Sequence, residues 1–215
     1  MADLALHVSD LAVHVRDHLT LSGCALALAL LAGLPLGAVL ARLGSAREVL
    51  LAAVNGARVV PSLAILALML PLVGVGFAPA LVALVLLAIP PIAINTDLGL
   101  RGVPAAAVDA ARGLGMSPRQ IAARVEWPLA LPVVFAGVRT ATVEVIASAT
   151  LAAFIGGGGL GEYILNGFAS GDVPQQLEGA ISVAVLTLGA DALLAALERR
   201  LSAHGSNADR GRQAA

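Results

Sequence analysis

The sequence predicts an all-α membrane protein of about five transmembrane helices. Of its 215 residues, 59% are hydrophobic and only 13% charged, mean hydropathy is +0.91, and the apolar residues gather into long uninterrupted runs. Soluble domains carry roughly twice that charge. The formal net charge of -1 gives no pull toward nucleic acid. Every basic side chain other than histidine is arginine, so the lysine that a phosphate-binding P-loop requires is missing. The single cysteine, Cys24, lies inside an apolar run and reads as a small packing residue.

Five stretches have the ~20 apolar residues that a helix needs to cross ~30 Å of hydrocarbon: 18–41, 49–73, 77–98, 129–154 and 177–197. The first could be the apolar region of a signal peptide. It starts late, however, and Asp3, Asp10 and Asp17 precede it in place of a positive cluster, so it reads as an uncleaved helix. Residues 1–17 are then an external segment, 18–199 the transmembrane domain, and 200–215 a disordered cytoplasmic tail. Orientation follows the arginines, which cytoplasmic loops retain. Arg42 and Arg47 follow the first span, Arg101, Arg112, Arg119 and Arg124 fill the connection between the third and fourth, and Arg199, Arg200, Arg210 and Arg212 follow the fifth. Residues 74–76 are uncharged, and 155–176 hold only Glu162 and Asp172. The N-terminus is therefore expected outside and the C-terminus inside.

The run FIGGGGLGEYILNG contains a G-x-G-x-x-G match at Gly156, Gly158 and Gly161. A dinucleotide fingerprint needs a strand before its glycines and a helix after them within a βαβ unit. Here the glycines end a spanning helix on its external side. Gly156, Gly157, Gly158, Gly159 and Gly161 are expected to let the chain fold back, with EYILNGF as a short interfacial or re-entrant piece holding Tyr163 and Phe168 near headgroup depth.

The longest polar interruption is GLRGVPAAAVDAARGLGMSPRQIAARVEWPLALP, about 101–128 at its centre. Pro104 suits a first helical turn, alanines propagate the helix, and Gly113 and Gly115 stop it. Ser117, Pro118 and Gln120 form a capping-box pattern for a second helix, which Arg124 and Glu126 close before Pro128. Helix, glycine bend, helix can be a plain connector or a binding loop, and loops of this length in compact proteins are usually functional.

This loop resembles the EAA loop of ABC importer permeases, E-A-A-x3-G-x9-I-x-L-P. The matching residues are Asp109-Ala110-Ala111, Gly115 and Val125-Glu126-Trp127-Pro128, with Asp109 for Glu, Val125 for Ile and Trp127 for Leu. VVPSLAILALMLPLVGVG, IPPIAINTDLGLRGV, AARGLGMSPRQIAARVEWPLALP and GVRTATVEVIASATLAAFIGGGGLGEYILNG extend the likeness over about residues 20–198. In this order they resemble the osmoprotectant (glycine betaine/carnitine/choline) branch of binding-protein-dependent permeases. The resemblance implies the type I importer architecture in the bacterial inner membrane. It implies that Asp109, Ala110, Ala111, Gly115, Met116, Arg119, Trp127 and Pro128 belong to a loop that couples to an ATPase. It also implies a cytoplasmic ATPase dimer carrying the ATP and Mg, an external solute-binding protein, and a second permease chain, identical or paralogous. No cofactor and no catalytic residue are expected in this chain itself.

Polar residues at membrane depth are costly and usually face a bundle interior. Asn55, Arg58, Asn95, Thr96, Arg139 and Glu144 are therefore candidates to line or gate a pathway, with Thr140 and Thr142 beside them; Asp97 and Arg139 could equally be interfacial, and Glu144 could pair with Arg58. Pro61, with Pro35, Pro71, Pro90 and Pro91, can kink helices that must rock. Gly33 and Gly37 form G-x-x-x-G, too common a pattern to assign an interface. His7, His14 and His18 lack a carboxylate arrangement for metal and read as a polar stripe; Asp191 reads as packing polarity. With one Trp, one Tyr and four Phe, an aromatic cage for a quaternary ammonium within the membrane is not expected. Two other readings stand beside the osmoprotectant one: a permease for methionine or another amino acid, and a stand-alone carrier or channel. The absence of an internal repeat weighs against the last.

Overall fold

The computed structural model describes residues 2–59 and 62–210, with side chains over 9–56 and 62–199. These residues are helical throughout apart from short turns. Four helical stretches are long and apolar enough to cross a membrane: Ser9–Leu40, Phe77–Arg101, Pro118–Ile155 and Val173–Arg199. They correspond to four of the five expected spans. The remaining one, 49–73, is helical on both sides of residues 60–61, which lie outside the described residues: α2 (Ala46–Val59) and α3 (Ser62–Val73). Arg47, Glu48, Asn55 and Arg58 make its first half polar. Pro61 itself lies outside the described residues.

The first helix, α1 (Ala2–Arg42), is one helix of 41 residues, about 60 Å at 1.5 Å per residue. Residues 2–17 therefore continue the spanning helix. The last, α9 (Val173–Arg210), carries the C-terminal segment as helix to residue 210.

Helix α4 (Phe77–Arg101) is the spine. It packs against α1 on one side and α7 (Trp127–Ser148) on the other, with α3 against it as well. α7 in turn carries α9, and α8 (Leu160–Ser170) packs on α9. Lipid tails are as apolar as leucine, so helices associate in a bilayer through close approach and small residues. The core shows this, with Ala25, Ala29, Ala80, Ala83, Ala88, Ala141, Ala149 and Ala152 buried among Leu21, Leu84 and Ile92.

Gly33 and Gly37 have their role here. They seat α1 on Ile92, Ala93 and Thr96 of α4. Gly137 does the same for α7: a Cβ there would stand 2.6 Å from the Pro91 carbonyl and 2.5 Å from the Asn95 Cβ. The outward face of α9, by contrast, presents Leu177, Ile181, Val185 and Leu188, suited to lipid. Replacing Gly137 with valine is expected to push α7 off α4 and destabilise the fold by about 1–3 kcal/mol, the usual cost of overpacking. Gly189→Val on α9, where a Cβ meets nothing within 4 Å, should leave stability unchanged. Thermal unfolding of the detergent-solubilised protein reads both.

Candidate functional site

The interruption between α4 and α7 folds much as its sequence suggests. α5 (Ala105–Gly113) begins after Pro104 as N-cap. It ends in a Schellman motif, with Gly115 at φ +77, its N–H donating to the Arg112 carbonyl at 2.9 Å, and the Met116 N–H to the Ala111 carbonyl at 3.2 Å. Ser117 then caps α6 (Pro118–Ile121) through both reciprocal bonds of a capping box with Gln120. The closure expected before Pro128 is absent. A π-helical turn, Ala122–Glu126, joins α6 directly to α7. Pro128 falls in the first turn of α7, where its missing N–H costs little.

On this element Asp109, Ala110, Gly115 and Arg119 are exposed, Met116 and Trp127 half-buried, and Pro128 exposed. Ala111 is buried, facing inward at the foot of the motif. Asp109 accepts from Arg112 Nη1 at 3.0 Å, with both side chains two-thirds exposed. A surface pair of this kind is worth little energetically, so Asp109 stays available to a partner. A cavity of about 390 Å³ lies between the loop and the end of α1, lined by Arg42, Val108, Arg112, Met116, Ile121 and Glu126 among others.

The polar residues at depth separate into groups. Arg139, Thr140 and Glu144 line one cavity of about 480 Å³ on α7, together with Asp191 and Glu198 of α9. Arg139 clamps Asp191 with two bonds, Nε to Oδ1 at 2.6 Å and Nη2 to Oδ2 at 2.8 Å, and reaches Glu198 at 3.5 Å. Asn95 and Thr96 are elsewhere. Each returns a bond to the carbonyl four residues back, Pro91 and Ile92, and Thr96 is fully buried against α1. Thr142 does likewise with Val138. Asn55 is exposed on α2, while the side chain of Arg58 lies outside the described residues, as does that of His7. Glu144 is half-buried.

Besides those of Arg139, two further ion pairs were not anticipated as pairs. Asp97, completely buried, accepts from Arg47 Nε at 2.9 Å and also from its Nη2. Those bonds hold the Arg47 guanidinium above its ordinary range. Arg42, the last residue of α1, meets Glu126 at 3.4 Å. The sequence contained a signal for the first pair, a lone aspartate near the end of an apolar span and arginines flanking a turn, but no means of matching them.

At the other end, the glycines act as backbone geometry. α7 tightens into a 3-10 segment, Ala149–Ile155, and Gly156 caps it in the left-handed conformation at φ 70. Gly158 and Gly159 also take positive φ, and Gly159 opens α8. Gly157 sits against Ala152 and Ala80, and Gly161 against the Thr150 carbonyl, so neither has room for a Cβ. Tyr163 is buried, donates to Glu178 Oε2 at 3.0 Å, and has its ring 5.4 Å from that of His14. Phe168 is well exposed. His18 is buried with Nε2 donating to the Ile146 carbonyl at 3.0 Å, and among the described residues no metal-binding group of His, Cys, Asp or Glu occurs.

The deciding comparison is with the family of binding-protein-dependent transport system inner membrane components, whose model matches residues 33–203. The chain belongs to that family. It is a multi-pass protein of the inner membrane. This family member is 42% identical over 196 residues to the choline transport system permease protein of Bacillus subtilis, covering 91% of this chain and 90% of that one. It is 38% identical over 205 residues to the glycine betaine/carnitine/choline transport system permease protein of the same organism, with 95% and 94% covered. The osmoprotectant import permease protein of Salmonella typhimurium is 40% identical over 197 residues, with 91% and 84% covered. Among solved structures, an inward-facing MetNI methionine ABC transporter matches with a TM-score of 0.78 at 23% identity, over 89% of this chain and 95% of that chain. An amino acid ABC transporter gives 0.77 at 19%, over 93% and 97%. The fold is thus that of the type I ABC importer permeases.

Tyr163 is the chain's one tyrosine, which makes its titration readable. Burial first, then its bond to the Glu178 carboxylate, pushes the phenol up to about 12, from ~10 in an unfolded chain. Because the folded value is the higher, the stabilisation is complete below pH ~10 and is lost as pH rises through about 12. Tyrosinate absorbance should titrate near that upper value in the folded protein. Glu178→Gln should bring the midpoint down while burial keeps it above that of the unfolded chain.

Proposed function

We propose that this chain is the transmembrane permease of an ATP-driven, binding-protein-dependent importer for a quaternary-ammonium osmoprotectant of the glycine betaine, carnitine or choline class. The observation that carries the reading is the 38–42% identity to choline, glycine betaine and osmoprotectant permeases over nine-tenths of the chain. The amino-acid alternative is less favoured, because the methionine and amino acid transporters are alike at 19–23% identity, which speaks for the fold alone.

ATP and Mg are assigned to a separate cytoplasmic ATPase dimer, and solute capture to an external binding protein. A second permease chain, identical or paralogous, completes the passage. The loop end of α4 and α7 then faces the cytoplasm, with the glycine turn outside, the N-terminus outside and the C-terminus inside. That orientation is supported by the arginines of residues 101–124. α5 and α6 form the coupling element, with Asp109 and Gly115 as its charge and its bend. The Arg139 cavity, with Thr140 and Glu144, is the candidate pathway surface.

The test uses proteoliposomes holding the permease, its ATPase and the binding protein. Choline, glycine betaine or carnitine should drive both uptake and hydrolysis, and methionine should not. Asp109→Lys and Gly115→Pro should each abolish solute-stimulated hydrolysis without preventing membrane insertion. Uptake without the ATPase, with both substitutions silent, would point to a stand-alone carrier and reduce the loop to a connector.

A further inference from the structure

The corner between α1 and α2 spans only residues 43–45, yet an arginine on each side of it reaches a different flank of the 101–128 loop. Arg47 holds Asp97, four residues before Arg101 at the end of α4. Arg42 holds Glu126, the last residue of the π turn that opens α7. The loop is thus tied at both roots to one point of the fold.

The two ties differ in kind. Asp97 is 0% exposed and Arg47 18%, and the bond is two-pronged. Removing one partner from such a pair leaves a charge buried and uncompensated, so it does not open readily. Arg42 is 66% exposed, its partner 29%, and a single contact of 3.4 Å joins them. Water can replace that contact at little cost.

Space and backbone agree with this difference. The cavity of about 390 Å³ beside Arg42 and Glu126 leaves the loop helices room to shift toward or away from α1. A π turn holds one residue more than an α turn, so it rotates the residues before it, Glu126 at its end included, relative to an unbroken α-helix, and such turns recur at functional points of helices.

We propose that the α1–α2 corner relays movement of the loop to the spanning helices, with Arg47–Asp97 as the fixed anchor and Arg42–Glu126 as a latch that opens and closes with the loop. The relay rests on the importer reading above. Arg42 and Glu126 act here as positioning residues.

The assembled transporter in proteoliposomes tests it, with co-purified ATPase measuring assembly and hydrolysis read with and without solute-loaded binding protein. Arg42→Gln and Glu126→Gln should assemble normally and lower the ratio of stimulated to basal hydrolysis about two- to fivefold, the range open to an exposed pair. The reversed pair, Arg42→Glu with Glu126→Arg, should recover most of that ratio. Asp97→Asn should instead reduce the amount of assembled complex, while the complex that forms keeps its ratio. Single variants that couple like wild type, or a reversed pair no better than the singles, would overturn the latch. An Asp97→Asn complex of full yield with lost coupling would overturn the anchor. If the wild-type assembly showed neither stimulation nor uptake, the importer reading would fail and the relay with it.

Discussion

The closeness with which α1 and α7 approach α4 is the constraint on which the remaining geometry depends. Within a bilayer no hydrophobic gain rewards moving a leucine from lipid to protein, so the helices must be joined by contact density and by polar bonds. Gly33 and Gly37 on one side of α4 and Gly137 on the other remove the side chains that would hold the backbones apart. Ile92, Thr96, Pro91 and Asn95 fill the space. Prolines at 90 and 91 sit in the most tightly flanked part of that helix. Helices to either side compensate the backbone groups such residues leave open. The other elements are hung from this three-helix slab: the loop at one end of α4 and α7, the glycine turn at the other, and α9 on the outside of α7.

The charges follow from the same arrangement. A carboxylate at membrane depth needs a cation within reach, and two are met in this way: Asp97 takes Arg47 from the α1–α2 corner, and Asp191 takes Arg139 across the α7–α9 contact. The pairs cross-link elements that are distant in sequence, by 50 and 52 residues. Arg139–Asp191 also attaches α9 to α7, and Glu198 and Glu178 of α9 add polar contacts to Arg139 and Tyr163. A charge pair in this position fixes the rotation of an otherwise uniform apolar helix about its axis, because only one face carries the aspartate.

Composition and local chemistry made the helical class, four spans and the loop legible. The loop was read almost residue by residue, since Pro104, Gly115 and the Ser117/Gln120 box act through bonds only three to five residues long. What could not be read depended on distance. Gly33 and Gly37 were visible as a motif, but their partner helix was not. Tyr163 has the chemistry of an interfacial residue, and it is buried because α8 folds back beneath the glycine turn and Glu178 satisfies its hydroxyl. Of the residues proposed for a pathway, Arg139, Thr140 and Glu144 share a cavity. Thr96 meets α1 instead, because its hydroxyl is satisfied within its own helix.

The distribution of aromatic side chains bears on where selectivity resides. A cation without hydrogen-bond donors is recognised by aromatic faces arranged around it. Here Trp127 belongs to the loop end, Tyr163 is occupied by Glu178 and His14 at the glycine end, Phe77, Phe154 and Phe168 are exposed, and Phe135 is half-buried on α7. The cavity at Arg139 contains none of them. On the proposed reading such a membrane domain can offer a polar, hydrated path but little discrimination. Specificity then falls to a partner outside the membrane, and the work of this chain becomes mechanical. A rigid, short-range loop suits that work: the capping box and Schellman bend make α5 and α6 stiff, so force applied at Asp109 arrives at the roots of α4 and α7 without being absorbed on the way.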